Sequence, residues 1–205
     1  MDLREHTIPQ LVQAAAERFG DCHAIEDGAV VLTFTELADA GLQAARAFCA
    51  AGIAPGDRVA IWAPNIYEWI VAAIGLQSAG GVLVPLNTRL KGGEAGYILK
   101  KSRARILCTV GEFLGNHYVD MLRGALGGPA GGRPVAELPD LERIVVFGGK
   151  PSSDPLLAES VDKQRAGPSR RPRKDGASSG RTEIFFERNN TTVRPEEPPA
   201  LGGVS

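Results

Sequence analysis

The apolar residues of the first 149 positions recur with helical spacing in some stretches and form short unbroken runs in others. The stretch 8–20, IPQLVQAAAERFG, spaces them three to four positions apart, which predicts an amphipathic helix with Gly20 at its C-terminal cap. The stretch 35–52, TELADAGLQAARAFCAAG, predicts a second helix that Thr35 caps and Gly52 ends. The expected buried face of this second helix consists of Leu37, Gly41, Ala44, Ala45 and Phe48.

Four short apolar runs are predicted to be strands: RVAIWA at 58–63, VLVPL at 82–86, RILCTV at 105–110 and LERIVVFG at 141–148. The first of them, RVAIWA, has a continuous apolar middle, as a parallel strand covered on both faces should have. Helical stretches separate them, namely IYEWIVAAIGLQSAG at 66–80, GEAGYILKKSRA at 93–104 and FLGNHYVDMLRGAL at 113–126. This alternation predicts an α/β fold with a mostly parallel sheet and flanking helices. Ahead of it, AIEDGAVVLTF at 24–34 predicts a hairpin that turns at Asp27-Gly28.

The longest apolar stretch, VAAIGLQSAGGVLVPLN at 71–87, raises the question of a membrane span. A spanning helix needs about 20 continuous apolar residues. Here Gln77 and Ser78 interrupt the run, and two glycines and Pro85 follow. The stretch is therefore predicted to be a buried helix, a turn and a buried strand, and no membrane span is expected.

Charge and cysteine content narrow the possible functions. The formal net charge is -1 and the pI about 6.3, so no overall positive field favours nucleic acid or a membrane surface as partner. The three cysteines, Cys22, Cys49 and Cys108, are far apart and show neither a disulfide framework nor zinc-ligand spacing. We expect each to be a small buried apolar residue. Because the cysteines form no disulfide framework, we expect a cytoplasmic protein. The charged N-terminal residues show no secretory signal.

The character of the sequence changes near Gly149. The stretch 150–205 is rich in Ser, Pro, Gly and charge and has no sustained period, so we predict a disordered tail. Its basic run RRPRK at 170–174 has no interleaved aromatic residues and is interpreted as solvated. The predicted division is a domain at 1–149 and a low-complexity tail at 150–205.

The segments GDRVAIWAPN, EW, AGGVLVPLNTR and YILKKSRA follow one another between residues 56 and 104. In this order and spacing they resemble the N-terminal part of the adenylate-forming superfamily, the AMP-binding acyl-CoA synthetases. The resemblance covers about the first 149 residues and implies a partial N-terminal subdomain of the adenylate-forming fold. It also implies an acid–thiol ligase of fatty acid metabolism that uses ATP, Mg²⁺ and coenzyme A on a carboxylic-acid substrate. In that family a carboxylate attacks the α-phosphate of ATP to give an acyl-adenylate and pyrophosphate, and the thiol of coenzyme A then displaces AMP.

The phosphate loop of that family, approximately TSGTTGxPKG, is not recognisable in the chain. The stretch GASSGRT at 176–182 has two glycines and no following lysine. The stretch FFERNNTTVRPEE at 185–197 keeps Thr191, Thr192, Arg194 and Pro195 in a suggestive order but has no glycine, and Glu196 stands where a lysine would. The ribose-binding acid and the catalytic lysine of the family's C-terminal domain are not found either. We therefore nominate no catalytic, cofactor-binding or metal-binding residue and expect the chain to be inactive alone.

A shift of reading frame would account for the lost loop. The codons ACG AGC GGA AC encode Thr-Ser-Gly-Thr, and read from their third base they give Glu-Arg-Asn. Those three residues stand at 187–189, directly after the isolated apolar triplet IFF at 184–186. We hypothesise that the frame shifts at or before the phosphate loop, which would make the tail a non-native sequence.

Polar side chains that follow the predicted strands are the remaining candidates for a site. Asn65 or Tyr67 could approach a ligand at the carboxyl end of RVAIWA, where open α/β sheets form their crevice. Asn87 and Arg89 stand at the equivalent place after VLVPL. Core packing is the alternative role for the aromatic residues of this region, Trp62, Tyr67 and Trp69.

Two other functions stay open at this point. The chain could be a non-catalytic module of the same family that binds a partner, or a small α/β nucleotide-binding protein with an unfamiliar loop. In the intact family a second α/β subdomain packs against this one. We therefore expect exposed apolar surface and self-association of the chain in isolation.

Overall fold

A computed structural model describes residues 7–127 and 137–148, together with the backbone of residues 157–158. Helices and strands alternate through these residues as the sequence predicts. The helices are α1 (Ile8–Phe19), α2 (Phe34–Ala50), α3 (Tyr67–Ser78), α4 (Gly92–Ser102) and α5 (Tyr118–Ala125). The strands are β1 (His23–Asp27), β2 (Val30–Thr33), β3 (Arg58–Trp62), β4 (Val82–Pro85), β5 (Ile106–Val110), β6 (Glu112–Phe113), β7 (Asn116–His117), β8 (Arg143–Phe147) and β9 (Leu157–Ala158).

Five of these strands form one parallel sheet in the order β4-β3-β5-β8-β9. The chain leaves β3 to form β4 on one side and then returns to form β5 on the other side. The order of the strands therefore reverses direction at β3, which makes this the topological switch point of the sheet. The predicted α/β fold with a parallel sheet is confirmed.

The two faces of the sheet carry separate cores, which explains why the strands are apolar at consecutive positions. Val59 and Ile61 of β3 pack with residues of α2 and α3 on one face. The intervening Ala60 and Trp62 pack with residues of α4 and α5 on the other face. Because successive side chains of a strand point to opposite faces, both sets are withdrawn from water.

Helices α2 and α3 approach each other closely because a glycine stands at their contact. A Cβ atom on Gly75 of α3 would lie 2.4 Å from Cβ of Ala44 and 2.8 Å from the backbone nitrogen of Ala45, both in α2. The buried residues of α2 are the five that the periodicity predicts, namely Leu37, Gly41, Ala44, Ala45 and Phe48.

The N-cap of α2 is Thr33, so the prediction of Thr35 is wrong. The Oγ1 atom of Thr33 accepts from the Glu36 amide at 3.2 Å, and Oε2 of Glu36 accepts from the Thr33 amide at 2.9 Å. This reciprocal pair is a capping box, which needs a Glu three residues after the cap. Thr33 meets that spacing and Thr35 does not.

Two turns also differ from the predictions. The β1–β2 hairpin turns one residue later than expected, because Asp27 pairs with Val30 and Gly28 takes a φ of 60° as the first of the two turn residues. The helix expected within 113–126 starts at Tyr118, because residues 112–117 form the β6–β7 hairpin. Its turn contains Gly115 at a φ of 73°, a left-handed conformation that glycine adopts without strain.

The stretch 71–87 divides into the end of α3, a turn and β4, as predicted. The expectation of a buried strand is wrong, however, because β4 is an edge strand of the sheet and its residues are exposed or only partly buried. None of the helices described here combines the length and the apolar character that crossing a membrane requires. Cys108 is buried as expected, whereas Cys22 and Cys49 are exposed, so the expectation is wrong for those two. The boundary near 149 and the expected tail fall outside the described residues, apart from the backbone at 157–158.

Candidate functional site

A crevice of about 910 Å³ opens at the carboxyl ends of β3, β4 and β5. It lies at the switch point of the sheet, where the connections that follow β3 and β5 diverge and leave space between them. Its walls are formed by residues 63–66 after β3, by the end of β4 and the residues after it (85–88), and by Val110 at the end of β5 with Glu112 and Phe113 after it, together with Trp69 of α3.

The walls of this crevice are mostly apolar, with a few polar groups. Ile66, Trp69 and Phe113 provide the larger apolar surfaces. Asn65, Asn87 and Thr88 provide side-chain amides and a hydroxyl, and Glu112 is the lining residue that carries a charge. Such a mixture suits an uncharged or weakly polar group better than a polyanion.

The structure brings together some of the residues that the sequence singled out. Asn65 and Asn87 both line the crevice, as does Trp69. Trp62 is fully buried, so the prediction of a core role is confirmed for it. Tyr67 packs partly buried beside the cluster beneath the β1–β2 hairpin and is not among the lining residues.

Arg89 lies in a smaller neighbouring pocket of about 450 Å³, which it lines with Lys91, Asn116 and Tyr118 among others. Thr88 and Phe113 line both pockets, so the two are contiguous. The positions after β4 therefore divide between the pockets, with Asn87 in the larger and Arg89 in the smaller.

The turn at Asn87–Leu90 separates these two pockets and is held by several hydrogen bonds. The carbonyl of Asn87 accepts from the Leu90 amide at 3.1 Å, and its side-chain Oδ1 accepts from the Arg89 amide at 2.9 Å. Two aromatic side chains also donate to this turn: Trp62 through Nε1 to the Asn87 carbonyl at 3.1 Å, and Tyr118 through its hydroxyl to the Thr88 carbonyl at 3.2 Å.

The opposite wall is held by Asp27, which sequence reasoning missed. The N-cap residue of α3, Ile66, provides no side-chain cap. Instead Oδ2 of Asp27 accepts from the Tyr67 amide at 3.0 Å. A carboxylate at this place accepts from an amide in the first turn of the helix and interacts favourably with the helix dipole. Asp27 and Tyr118 lie 40 and 30 residues from the residues that they contact, so no local pattern could have identified them.

A charged network occupies the other edge of the sheet, at the amino ends of the strands. Arg105 forms ion pairs with Asp57 and Glu142 and donates to the Gly52 carbonyl at 2.8 Å. Glu142 and Asp57 raise the pKa of Arg105, while the amide of Ala54 and then Arg105 lower the pKa of Asp57. This network joins the segments that precede β3, β5 and β8 and is remote from the crevice.

The described residues do not fit the triphosphate of ATP. The turns at 63–66 and 86–90 contain no glycine, and the turn at 111–115 belongs to the β6–β7 hairpin. A phosphate cradle needs successive backbone amides directed at the ligand, usually with glycines and a lysine. In the same part of the chain, no group of three or more His, Cys, Asp or Glu side chains could hold a metal ion.

Comparison with known proteins identifies related sequences. Residues 12–192 match the family model described as AMP-binding enzyme, a range that runs past Gly149 into the stretch expected to be a tail. A methyl-dioxo-octahydroindenyl-propanoyl:CoA ligase of Rhodococcus jostii is 40% identical over 143 residues, which are 70% of this chain and 26% of that protein. The mitochondrial medium-chain acyl-CoA ligase of Danio rerio is 32% identical over 164 residues, which are 77% of this chain and 27% of that protein. The chain thus spans about a quarter of the length of these curated relatives.

Solved structures share the fold. An anthranilate CoA ligase in complex with anthranoyl-AMP superposes with a TM-score of 0.62 at 24% identity, over 72% of this chain and 26% of that chain. The N-terminal domain of FACL13 from Mycobacterium tuberculosis superposes with a TM-score of 0.50 at 29% identity, over 51% of this chain and 27% of that chain.

Proposed function

The chain belongs to the family of AMP-binding enzymes, and we propose that it is part of an ATP-dependent acyl-CoA ligase. Such an enzyme converts a carboxylic acid, ATP and coenzyme A into acyl-CoA, AMP and pyrophosphate. The observation that carries the proposal is the family match over residues 12–192, and relatives named CoA ligases support it. The names of these relatives favour apolar carboxylic acids as the substrate class.

We propose further that this chain alone does not catalyse the reaction. The crevice at the carboxyl edge is open, carries Glu112 in its lining, and has no glycine-rich turn that could hold phosphates. The binding of ATP, Mg²⁺ and coenzyme A would therefore depend on residues other than those described. Within this proposal, residues 1–149 supply the scaffold and one wall of the site.

The direct test measures pyrophosphate release and acyl-CoA formation by the 205-residue chain. The acid panel contains medium-chain fatty acids, aromatic acids and a bicyclic propanoic acid, chosen after the relatives' names, and the full-length Rhodococcus ligase is the positive control. We expect turnover by the control and none by this chain. Robust turnover by the chain alone would refute its inactivity. ATP binding without turnover would favour a small nucleotide-binding protein, and binding of a defined protein partner without ATP binding would favour a non-catalytic module.

The coding DNA tests the origin of the tail independently. If the frame shifts at or before the phosphate loop, another frame downstream of the codons for IFF at 184–186 encodes SGTTG and later family motifs. If no frame encodes them, the frame-shift hypothesis is wrong and 150–205 is the natural sequence of this chain.

We also propose a cytoplasmic location. The dispersed cysteines, which show no disulfide framework, support it. Fractionation of cells that express a tagged chain tests this location. Recovery in an organelle would contradict it, and the relative in Danio rerio is itself named as mitochondrial.

A further inference from the structure

Two buried aromatic residues direct their polar ends at the same turn of the crevice wall. Trp62 is fully buried and Tyr118 is 1% exposed. Their rings meet edge to face with centroids 4.6 Å apart, so each fixes the position of the other. The indole Nε1 and the phenol hydroxyl donate to two consecutive carbonyls, those of Asn87 and Thr88.

Space filling alone does not account for these two side chains. A phenylalanine or leucine would fill a core without adding a polar atom that needs a partner. The Trp62 donor instead reaches a carbonyl that already accepts from the Leu90 amide. The backbone at Trp62 is also fixed, because its carbonyl accepts from the buried Thr109 hydroxyl at 2.7 Å. The pair therefore links the turn to the centre of the sheet.

We propose that Trp62 and Tyr118 are positioning residues that hold the Asn87–Leu90 turn in one conformation as a wall of the crevice. If the wall is already ordered before a ligand binds, the entropy cost of ordering it on binding is smaller. The proposal concerns the shape of the crevice and is independent of which reaction the complete protein catalyses. It can therefore fail while the proposed ligase function stands, and the reverse also holds.

Trypsin can measure the freedom of this turn, because the exposed Arg89 lies within it. Cleavage after Arg46, which is exposed in the C-terminal half of α2, reports global opening in the same digest. In the full chain, Tyr118→Phe removes the hydroxyl and keeps the ring. We expect the rate of cleavage after Arg89, relative to that after Arg46, to rise about fivefold, because one hydrogen bond to the turn is lost.

Tyr97→Phe is the matched control. Its hydroxyl contacts Lys101 on the exposed side of α4 at 3.3 Å, away from the turn, so the cleavage ratio should not change. Trp62→Phe is a second test variant, which removes Nε1 and keeps an aromatic ring. If the ratio is unchanged in Tyr118→Phe, or rises equally in Tyr97→Phe, the proposal is wrong.

The exchange of the two indole protons with solvent provides a spectroscopic measurement that does not depend on protease. In the parent chain the indole proton of Trp62 should exchange slowly, because it is buried and bonded to the turn. In Tyr118→Phe its exchange should accelerate several-fold, whereas the exchange of Trp69, which lines the crevice, should not. Unchanged exchange of the Trp62 proton in Tyr118→Phe would overturn the proposal even if the variant were cleaved faster.

Discussion

A methyl group added at Gly75 should destabilise the fold, although alanine is the better helix former. Gly75 lies in α3, and the added Cβ would stand 2.4 Å from Cβ of Ala44 and 2.8–2.9 Å from backbone atoms of Ala44 and Ala45. Carbon atoms in contact are normally about 3.5–4.0 Å apart. Backbone atoms cannot rotate away as a side chain can, so α2 and α3 would have to separate.

The size of the effect follows from two opposing terms. Replacing glycine by alanine inside a helix gains about 1 kcal/mol. Overpacking a core costs about 1–3 kcal/mol, and a clash with backbone belongs at the upper end of that range. We therefore expect Gly75→Ala to lower the free energy of unfolding by about 2 kcal/mol. With a urea dependence of about 2 kcal/mol per molar, the midpoint would fall by about 1 M.

Substitutions at two other glycines serve as comparisons in the same experiment, in which circular dichroism monitors urea unfolding. A Cβ at Gly93, exposed in the first turn of α4, would have nothing within 4 Å, so Gly93→Ala should gain about 0.5–1 kcal/mol. A Cβ at Gly41 would meet Cγ2 of Ile74 at 2.7 Å, and because that side chain can move, the effect should be intermediate. A stabilising Gly75→Ala, or an equal loss in Gly93→Ala, would refute the reasoning.

Three further predictions concern a helix cap, a carboxylate and the exposed surface. Asp27→Ala should lower the free energy of unfolding by about 1 kcal/mol, because the Tyr67 amide loses this side-chain acceptor. Asp27→Asn should lower it by less, and urea unfolding measures both variants. The pKa of Asp57 lies below its ordinary value of 3.8 in the folded chain, so its stabilising contribution is complete above about pH 4 and is lost as the pH falls through the lowered pKa. The urea midpoint of Asp57→Asn should therefore fall less steeply below about pH 4 than that of the parent chain, and parallel curves would contradict this. Large apolar side chains such as Leu42 and Val82 are about half exposed, so the isolated chain should self-associate. Size-exclusion chromatography with light scattering measures this. A monodisperse monomer with a cooperative melt would count against the prediction.

Local patterns were sufficient to predict most of the regular structure. The pattern of apolar residues predicted α1 to α4 and the strands β3, β4, β5 and β8 of the parallel sheet, and it predicted every buried residue of α2. These features depend on which face of an element meets the core, which periodicity records directly. The sequence also indicates the cap at Thr33, because a glutamate follows it by three residues, whereas no glutamate stands three residues after Thr35.

The walls of the crevice could not be predicted to the same depth. That Asn65 and Asn87 line it followed from their places after two parallel strands, since such positions meet at one edge of the sheet. The hydrogen bonds that Asp27 and Tyr118 make to the walls join residues 40 and 30 positions apart. Contacts of that kind depend on how complete elements pack, and a short stretch of sequence carries no record of them.

The positions of the charged groups among the described residues bear on where a triphosphate could bind. Arg58 and Arg105 lie at the amino edge of the sheet, where backbone carbonyls and carboxylates already accept from their guanidinium groups. At the carboxyl edge, Glu112 lines the larger crevice, and Arg89 and Lys91 line the smaller pocket. A phosphate charge about 4 Å from a carboxylate experiences a repulsion of about 4 kcal/mol at an effective dielectric constant of 20. A triphosphate in the larger crevice would meet this repulsion at Glu112, whereas Arg89 and Lys91 lie in the neighbouring pocket. We propose that the groups that bind a triphosphate lie outside the described residues. We therefore expect the described part to position a ligand's apolar portion, while phosphate binding depends on segments that follow it.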